Sequence, residues 1–425
     1  MSRPALPAAR MIGVDIARFL AIVGMIAAHL VSIGGMLAAP GSFDEVAGEV
    51  ADTLTAGIAA PLFAVLGGVS TVFATRKLLR AGRAGAAMGA VAVRGVLLLL
   101  IGLTLGIIET PVAIVLAYYG LAMLLIAPLA AARSWLLGLI ALVLTAGGGI
   151  MNAAIREANP SWSGGGQVNF DSFAQDPWAA LRTLLLTGEY PALTWCAYLL
   201  VGMLIGRLLT GAAQRDALGR AAALLTTAGA ALAVAAQLVS NAVVATLGGI
   251  SDPALEGYPS ELLTEYVAQS TGGAPLSTQL WAQFVATPHS GSLIDILRTA
   301  GIAAAVIGVL VLLCDVLRTR GGRAANAPGP VLGTLRAAGA APLTIYTLHI
   351  IATGVILEPA LMSPAAFSGE GLDWWVAGLS GFGLQLTGVL LIGAVLAALG
   401  RRGPLEALVS GVVKLVVREG RTTRV

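Results

Sequence analysis

The stretch MIGVDIARFLAIVGMIAAHLVSIGG, residues 11–35, is long and apolar enough to cross a membrane as one helix. Its ionisable residues are Asp15, Arg18 and His29. At about 100° and 1.5 Å per residue, the step from Arg18 to His29 turns the helix to within about 20° and rises about 16 Å. Both side chains therefore face one groove at two depths. Ionisable groups are costly in lipid unless they face protein or water, so this set is a candidate functional site.

The composition of the whole chain agrees with this first segment. Of 425 residues, 57% are hydrophobic and 11% charged, whereas a soluble domain carries about 25% charged residues. Apolar runs are centred near residues 24, 64, 98, 121, 143, 200, 232, 304, 350 and 387. We therefore predict an all-α, polytopic integral membrane bundle of about ten transmembrane helices. The net charge of only +3 argues against nucleic acid as a partner.

The charges of the connections predict the orientation of the helices. Basic connections at 76–83, around Arg133, and at 206–220, 318–323 and 401–402 alternate with acidic or weakly charged ones. The positive-inside rule then places both termini in the cytoplasm, Arg18 near the cytoplasmic face and His29 beyond the midplane. We expect a transmembrane domain, residues 1–402, followed by a cytoplasmic interfacial helix and tail, residues 403–425.

The N-terminal segment could be either a cleaved signal peptide or a first transmembrane helix. Arg3 and Arg10 precede an apolar run that ends in small residues, as in a signal peptide. The run is too long for the apolar region of a signal, however, and Asp15 and Arg18 interrupt its start. An uncleaved first transmembrane helix is therefore predicted.

Two outer segments, about 154–190 and 247–290, are long and contain aromatic and turn residues, as in NPSWSGGG and EGYPSELL. Loops of this length on one face of a protein usually cap a site or bind a substrate. Disorder is the alternative for the glycine-rich part of the first segment.

His29 is the predicted catalytic residue. An imidazole can take a proton from a hydroxyl or amine near neutral pH, which is general-base chemistry. The alternative is a structural histidine bonded to a neighbouring helix. Arg18 is a fixed cation suited to a phosphate or a carboxylate, and with Asp15 it is a candidate for cofactor binding. Alternatively, Arg18 extends to the membrane surface and its i, i+3 pair with Asp15 is purely structural.

Three further residues are candidates for substrate binding. His289, in VATPHSGS, lies at the outer start of a span, where it could contact an extracellular acceptor or cap the helix. His349, in the middle of a span, needs a hydrogen-bond partner, and functional and structural roles remain equally open for it. Glu109 is an outer-edge carboxylate before a proline, for which a plain loop position is the simpler interpretation. Cys196 and Cys314 lie in apolar runs, and no metal site is expected.

Several segments together resemble a known family. GVDIARFLAIVGMIAAH (13–29) and APLFAVLGGVS (60–70) resemble the start of the heparan-α-glucosaminide N-acetyltransferase catalytic domain and its bacterial relatives. TGEYPALTWCAYLLVGMLIGR, PHSGS, AAGAAPLTIYTLHI and RRGPLE are similar to the actinobacterial branch and an associated C-terminal membrane domain of unknown function. The resemblance implies an acyltransferase-like transmembrane domain over residues 1–402.

The spacing within the first helix is also similar to that of membrane acyltransferases that O-acetylate bacterial surface glycans. Their first span carries an Asp, an Arg three residues later and a His eleven beyond that, a pattern repeated by Asp15, Arg18 and His29. The resemblance implies that acetyl-CoA or another acyl-CoA enters from the cytoplasm and contacts Arg18. It also implies that His29 assists transfer to an acceptor at the outer face.

The lysosomal enzyme differs from this chain at the residues that carry its chemistry. It has an asparagine where His29 stands, a catalytic histidine in the following loop, and an aspartate at the position of Gly57. Residues 30–60 contain no histidine. The mechanism of amino-sugar N-acetylation therefore does not transfer residue by residue, and the surface-glycan pattern fits better.

We therefore expect a multi-pass plasma-membrane acyltransferase that moves an acetyl or other acyl group from acyl-CoA to a sugar or glycolipid of the cell envelope. The alternative is a transporter or flippase for an envelope lipid or small metabolite, with the polar stripe lining its path. The lack of a convincing internal repeat favours the enzyme. The sequence leaves O- versus N-acylation and a homodimer open.

Overall fold

The computed structural model describes residues 11–162, 166–318, 329–364, 366 and 372–417, and every regular element within them is helical. Several predictions fall outside this part of the chain. They concern Arg3 and Arg10, most of the basic connection 318–323, the glycines at 164 and 165, and residues 418–425. We number the helices of the bundle α1 to α13. They are α1 Ile12–Met36, α2 Phe43–Thr55, α3 Ala59–Arg80, α4 Ala84–Leu105, α5 Leu116–Ile126, α6 Ser134–Ala158, α7 Ala192–Gln214, α8 Leu218–Val244, α9 Leu293–Val311, α10 Pro330–Gly339, α11 Pro342–Leu361, α12 Gly378–Leu399 and α13 Pro404–Val417.

The prediction of a polytopic helical bundle is confirmed. Within the described residues, nine helical segments are long and apolar enough to cross a membrane by length and composition. The tenth predicted span, centred near residue 121, corresponds to the shorter apolar helix Leu116–Ala131. Local sequence explains several boundaries, because proline stands in the first turn of α10, α11 and α13. Ser292 caps α9 by accepting the Asp295 N–H at 3.1 Å.

Helix α1 lies at the centre of the bundle and packs against α3, α9, α10 and α11. Its start is held by Asp315, just beyond α9. The Asp315 carboxylate accepts the backbone N–H groups of Ile12 and Gly13, each at 2.8 Å. These N–H groups belong to the first turn of a helix and have no partner within it. Asp315 therefore fixes the depth at which α1 enters the bundle.

The helices α3 and α7 approach closely through paired glycines. A Cβ on Gly68 would collide with the Leu199 carbonyl oxygen, and one on Gly202 with the Val65 carbonyl oxygen. Small residues allow such backbone contact between membrane helices. The packing fixes α3 beside α1, and α3 supplies the other wall of the groove that Arg18 and His29 face.

Both ends of the described chain meet at one end of the bundle. Met11, which precedes α1, and Arg402, which follows α12, line the same cavity. We call this end of the bundle the basic end. Helix α13 packs there on α4 and α11. With 14 residues it is about 21 Å long, shorter than the hydrocarbon core of about 30 Å.

The two long connections lie at the opposite end, which we call the loop end. They contain short helices, including Pro177–Arg182 and Leu263–Ala268. The second connection has its own apolar cluster around Trp281, whose indole N–H donates to Asp252 at 2.7 Å. The long connections are therefore folded where the structure describes them, and they cover the loop end.

Candidate active site

Arg18 and His29 lie on the same face of α1 but in different cavities. Arg18 lines a cavity with Phe63 and Ser70 of α3, and His29 lines another with Ala59 and Ala60 of α3. Both cavities lie between α1 and α3. One detail differs from a uniform α-helix. His29 falls in a π-helical turn, Ala28–Ser32, and such turns are frequent at functional sites.

The cavity at the basic end has a volume of about 520 Å³ and contains a cluster of arginines. We call it the basic cavity. Its cationic residues come from four parts of the chain: Arg18, Arg76, Arg94 and Arg402. Much of the remaining wall is apolar, including Leu98, Leu116 and Met123. A cavity of this size with an apolar wall and several guanidinium groups suits a ligand that has both phosphates and an apolar arm.

Asp15 orients Arg18 within this wall. The Asp15 carboxylate is buried and lies 2.5 Å from Arg18 Nη1, as the i, i+3 spacing predicts. Its other oxygen lies 3.6 Å from Arg336 Nε, and Arg18 Nη2 donates to the Ser70 hydroxyl at 2.8 Å. Asp15 is thus held between two arginines. A carboxylate repels phosphate, so its geometry suits positioning Arg18 rather than direct contact with an anionic ligand.

All three histidines of the chain converge toward the loop end. His29 and His289 line a small cavity of about 40 Å³ together with Tyr190 and Tyr346. We call it the histidine cavity. His349 lies directly behind His29, with the two ring planes nearly parallel and the ring centroids 5.1 Å apart. Within the described residues, no three His, Cys, Asp or Glu side chains are arranged to hold a metal ion.

His29, His349 and Gln385 form a hydrogen-bonded series across three helices. His29 Nδ1 lies 2.8 Å from His349 Nε2, and His349 Nδ1 lies 2.7 Å from Gln385 Oε1. His349 is buried, with 4% of its surface exposed, so its two ring nitrogens are engaged inside the protein. It does not line the histidine cavity. This geometry argues against direct substrate binding by His349 and places it behind His29.

His289 enters the histidine cavity from the segment before α9. Its backbone is left-handed, with φ 57°, an arrangement that costs energy in a non-glycine residue and is concentrated at functional sites. Its ring packs edge-on against Tyr190, and its Nδ1 is buried without a hydrogen-bond partner in the described structure. Burial, with a smaller effect from the Arg298 guanidinium, lowers the pKa of His289 to about 4. His289 is therefore neutral near pH 7.

Glu109 lies outside this arrangement. Its side chain is exposed and does not line the histidine cavity, although Ala113 and Val115 of the same connection do. The structure therefore does not bring Glu109 together with the histidines.

A larger cavity of about 640 Å³ opens at the loop end between the two long connections. We call it the vestibule. Arg156 joins its walls by donating to the carbonyl oxygens of Gly188 at 3.0 Å and Gly272 at 2.8 Å. Gly273, next in the chain, lines a narrow cavity that also includes His289. His289 therefore lines both this narrow cavity and the histidine cavity.

Sequence reasoning missed part of both sites. The sequence singles out Arg76 only as a charge that sets topology, and Arg402 as such a charge and as part of the family-like segment RRGPLE, whereas Arg94 lies inside an apolar run without a pattern to single it out. Gln385 is a lone amide within a span, as His349 is a lone imidazole. Their polarity was the available signal, because a polar side chain in a span needs a partner. The pairing of residues 36 positions apart depends on tertiary packing.

Comparison with protein families gives a match over residues 10–237 to the family described as heparan-alpha-glucosaminide N-acetyltransferase, catalytic. The chain belongs to this family. No curated protein matches the chain. The heparan-alpha-glucosaminide N-acetyltransferase match contains Arg18, His29 and α3, and thus one side of both cavities. His289, His349 and Arg402 lie beyond it, so the C-terminal part completes each cavity.

Membership in this acetyltransferase family indicates that the chain is a membrane transferase. The position that carries an aspartate in the lysosomal enzyme is Gly57. Its backbone is left-handed, with φ +66°, and a Cβ there would lie 3.1 Å from Pro288. An aspartate would be strained at this position.

Proposed function

We propose that this protein transfers an acetyl or other acyl group from acyl-CoA to a hydroxyl or amine of a sugar or glycolipid in the cell envelope. The observation that carries the proposal is the placement of Arg18 and His29. The two residues lie about 16 Å apart along one helix, and each lines a separate cavity against the same neighbour, α3. An acyl donor with a charged head and a long thin arm fits such an arrangement.

The basic cavity is the proposed donor site. Its four arginines match the phosphates of coenzyme A, because guanidinium groups form bidentate hydrogen bonds with phosphate. The positive-inside rule assigns the basic end to the cytoplasm, where acyl-CoA is available. The acylated arm would pass between α1 and α3 toward His29. Arg18, held by Asp15 and Ser70, stands at the entry of that path.

His29 is the proposed general base. It takes the proton from the acceptor hydroxyl or amine while the acceptor atom forms a bond with the thioester carbonyl carbon. The tetrahedral intermediate then collapses, the carbon–sulfur bond breaks, and the proton on His29 passes to the leaving thiolate. The products are the acylated acceptor and coenzyme A. Both reactants are held by one protein in neighbouring cavities, which lowers the entropic part of the barrier.

The acceptor is proposed to approach through the vestibule. Its charged residues are largely engaged within the protein, since Arg156 binds carbonyl oxygens and Asp252 accepts from Ser277 at 2.5 Å. Hydroxyl and amide side chains, including Gln269 and Thr278, remain in its wall. This surface favours a neutral polyhydroxyl group. The histidine cavity is too small for a whole sugar, so only the reacting group would reach His29.

The separation of the cavities favours an enzyme over a transporter. Leu116 lines the basic cavity and its neighbour Val115 the histidine cavity, yet no described residue lines both. A transported lipid or metabolite needs a passage as wide as itself. Acyl transfer needs room only for the acyl arm.

Labelled acetyl-CoA tests the proposal in membranes that contain the protein. Wild type should incorporate label into a glycolipid or sugar fraction, and His29→Ala should lose this by at least about 100-fold, the usual scale of general-base catalysis. Leu20→Ala is the matched control, because Leu20 lies on the same helix and faces outward. Equal labelling by wild type and His29→Ala would rule out the role of His29.

A further inference from the structure

On the basis of the proposed acyl transfer, we propose that Gln385 and His349 are positioning residues that fix the tautomer of His29 and leave its Nε2 as the base. The series runs from α12 through α11 to α1. It begins at Gln385 Oε1, passes the buried ring of His349, and ends at His29 Nδ1. Nε2 is then the remaining ring nitrogen of His29, the residue that lines the histidine cavity.

The tautomers follow from which atoms are able to donate. An amide oxygen only accepts, so His349 Nδ1, at 2.7 Å from Gln385 Oε1, carries the hydrogen. A neutral His349 then has a bare Nε2, which accepts from His29 Nδ1 at 2.8 Å. His29 Nδ1 therefore carries its hydrogen, and Nε2 has a free lone pair. The orientation of the Gln385 amide, on α12, thus determines which nitrogen of His29, on α1, is the base.

The same series serves the charged state of His29. When Nε2 takes the acceptor proton, His29 becomes an imidazolium whose Nδ1–H still donates to His349. No hydrogen in the series has to move, and the amide oxygen at its far end orients the His349 dipole toward the new charge. Preorganised dipoles of this kind stabilise charge without reorganisation. In serine proteases an aspartate behind the catalytic histidine plays a comparable part.

The packing of the three helices holds these groups in place. The His29 and His349 rings lie edge to edge in nearly one plane, with an interplanar angle of 8°, as a hydrogen bond between ring nitrogens requires. Gln385 lines neither the basic cavity nor the histidine cavity. A change at Gln385 should therefore alter the chemical step without altering the binding of donor or acceptor.

Three variants of α12 separate this role from simple packing. Gln385→Leu removes the acceptor, whereas Gln385→Glu, as a carboxylate, keeps an accepting oxygen. Thr387→Val is the control, because Thr387 is exposed and bonds only to the Gly383 carbonyl oxygen of its own turn. We expect Gln385→Leu to lower kcat about 100-fold with each KM within about twofold of wild type. Gln385→Glu should restore most of kcat, and Thr387→Val should match wild type.

Nitrogen NMR of the histidines gives a readout that does not depend on turnover. The chain has three histidines, so ¹⁵N-histidine labelling with His289→Gln and His349→Gln variants assigns every ring. In wild type and Gln385→Glu, His29 should show a protonated Nδ1 and a bare Nε2. Gln385→Leu should show a mixture of tautomers. If wild type transfers no acyl group in either assay, the proposed function is refuted. The NMR measurement still shows which tautomer His29 adopts.

Two results would overturn the proposal. One is a His29 tautomer in wild type with the hydrogen on Nε2. The other is an unchanged His29 spectrum and an unchanged kcat in Gln385→Leu. A fall in thermal stability with unaltered kcat would assign Gln385 to packing alone.

Discussion

The Glu406 carboxylate binds Thr344 twice, accepting its backbone N–H at 3.1 Å and its hydroxyl at 2.6 Å. It also accepts the Leu343 N–H at 2.6 Å. These groups form the first turn of α11, where backbone N–H groups lack partners within the helix. Glu406 lies on α13 and lines the basic cavity. One carboxylate thus joins the wall of the proposed donor site to the helix that carries His349.

Glu406→Ala should weaken both functions of this contact. Loss of a carboxylate that caps a helix and bonds to a hydroxyl should cost about 2 kcal/mol of stability. Because α13 also closes the basic cavity, KM for acyl-CoA should rise several-fold. Thermal unfolding and donor titration measure the two effects. Lys414→Ala, at an exposed position of α13, is the control, and equal effects from both variants would refute a specific role for Glu406.

The basic cavity leads to a second prediction, about Arg94. This arginine lies on α4 within the membrane-spanning part of the bundle and lines the cavity beside Tyr119. If it binds a phosphate of the donor, Arg94→Leu should raise KM for acyl-CoA at least about tenfold, as expected for a charged hydrogen bond. The value of kcat at saturation should change less.

Arg80→Leu is the matched control for Arg94. Arg80 lies on α3 near the basic end, but it is exposed and does not line the cavity. Its removal changes the net charge equally. A similar rise in KM for both variants would indicate general electrostatic attraction instead of a binding site.

The fold and the first helix of the site were predictable from local sequence. Asp15, Arg18 and His29 share one helix, so periodicity alone places them on one face at known depths. Hydropathy predicted the membrane-spanning helices. Of the ten predicted spans, only the one that contains α5 is shorter than a full span in the described structure. These features depend on residues close together in the chain.

The partners of these residues were not predictable in the same way. His349 was expected to need a hydrogen-bond partner, but sequence could not name His29, 320 positions away. The role of Arg402 was hidden because an arginine in a connection is equally consistent with topology, and Arg94 gave only the signal that a charge in a span needs a partner. The basic cavity exists only when α1, α3, α4 and α13 pack together, and no local pattern encodes that arrangement.

His289 leads to a prediction about pH and stability. Its pKa is lowered by burial, and further by Arg298, to about 4, whereas an unfolded histidine titrates near about 6.5. Above the unfolded value neither state binds the proton, so the full stability is present. As the pH falls from about 6.5 toward 4, His289 binds a proton in the unfolded state but not in the folded state, and the stability of the protein decreases.

The unfolding temperature in detergent or nanodiscs should therefore fall between pH 7 and pH 5. His289→Gln removes the titrating group, so its decrease should be smaller than that of wild type over the same range. Identical pH profiles for the two proteins would show that His289 is not held neutral in the folded state.

The final prediction concerns Gly57, which abuts the segment that carries His289. A Cβ at Gly57 would lie 3.1 Å from both the Cα and Cβ of Pro288, and its φ is +66°. Gly41 has a similar φ of +76° but no atom within 4 Å of such a Cβ. Alanine at either position incurs the same backbone strain, about 1–2 kcal/mol. Only Gly57→Ala also pushes on Pro288 and hence on His289.

Both variants should unfold at lower temperature, whereas acyl transfer per folded molecule should fall only in Gly57→Ala. Equal specific activity in the two variants would show that the position of Pro288 has no bearing on the reaction.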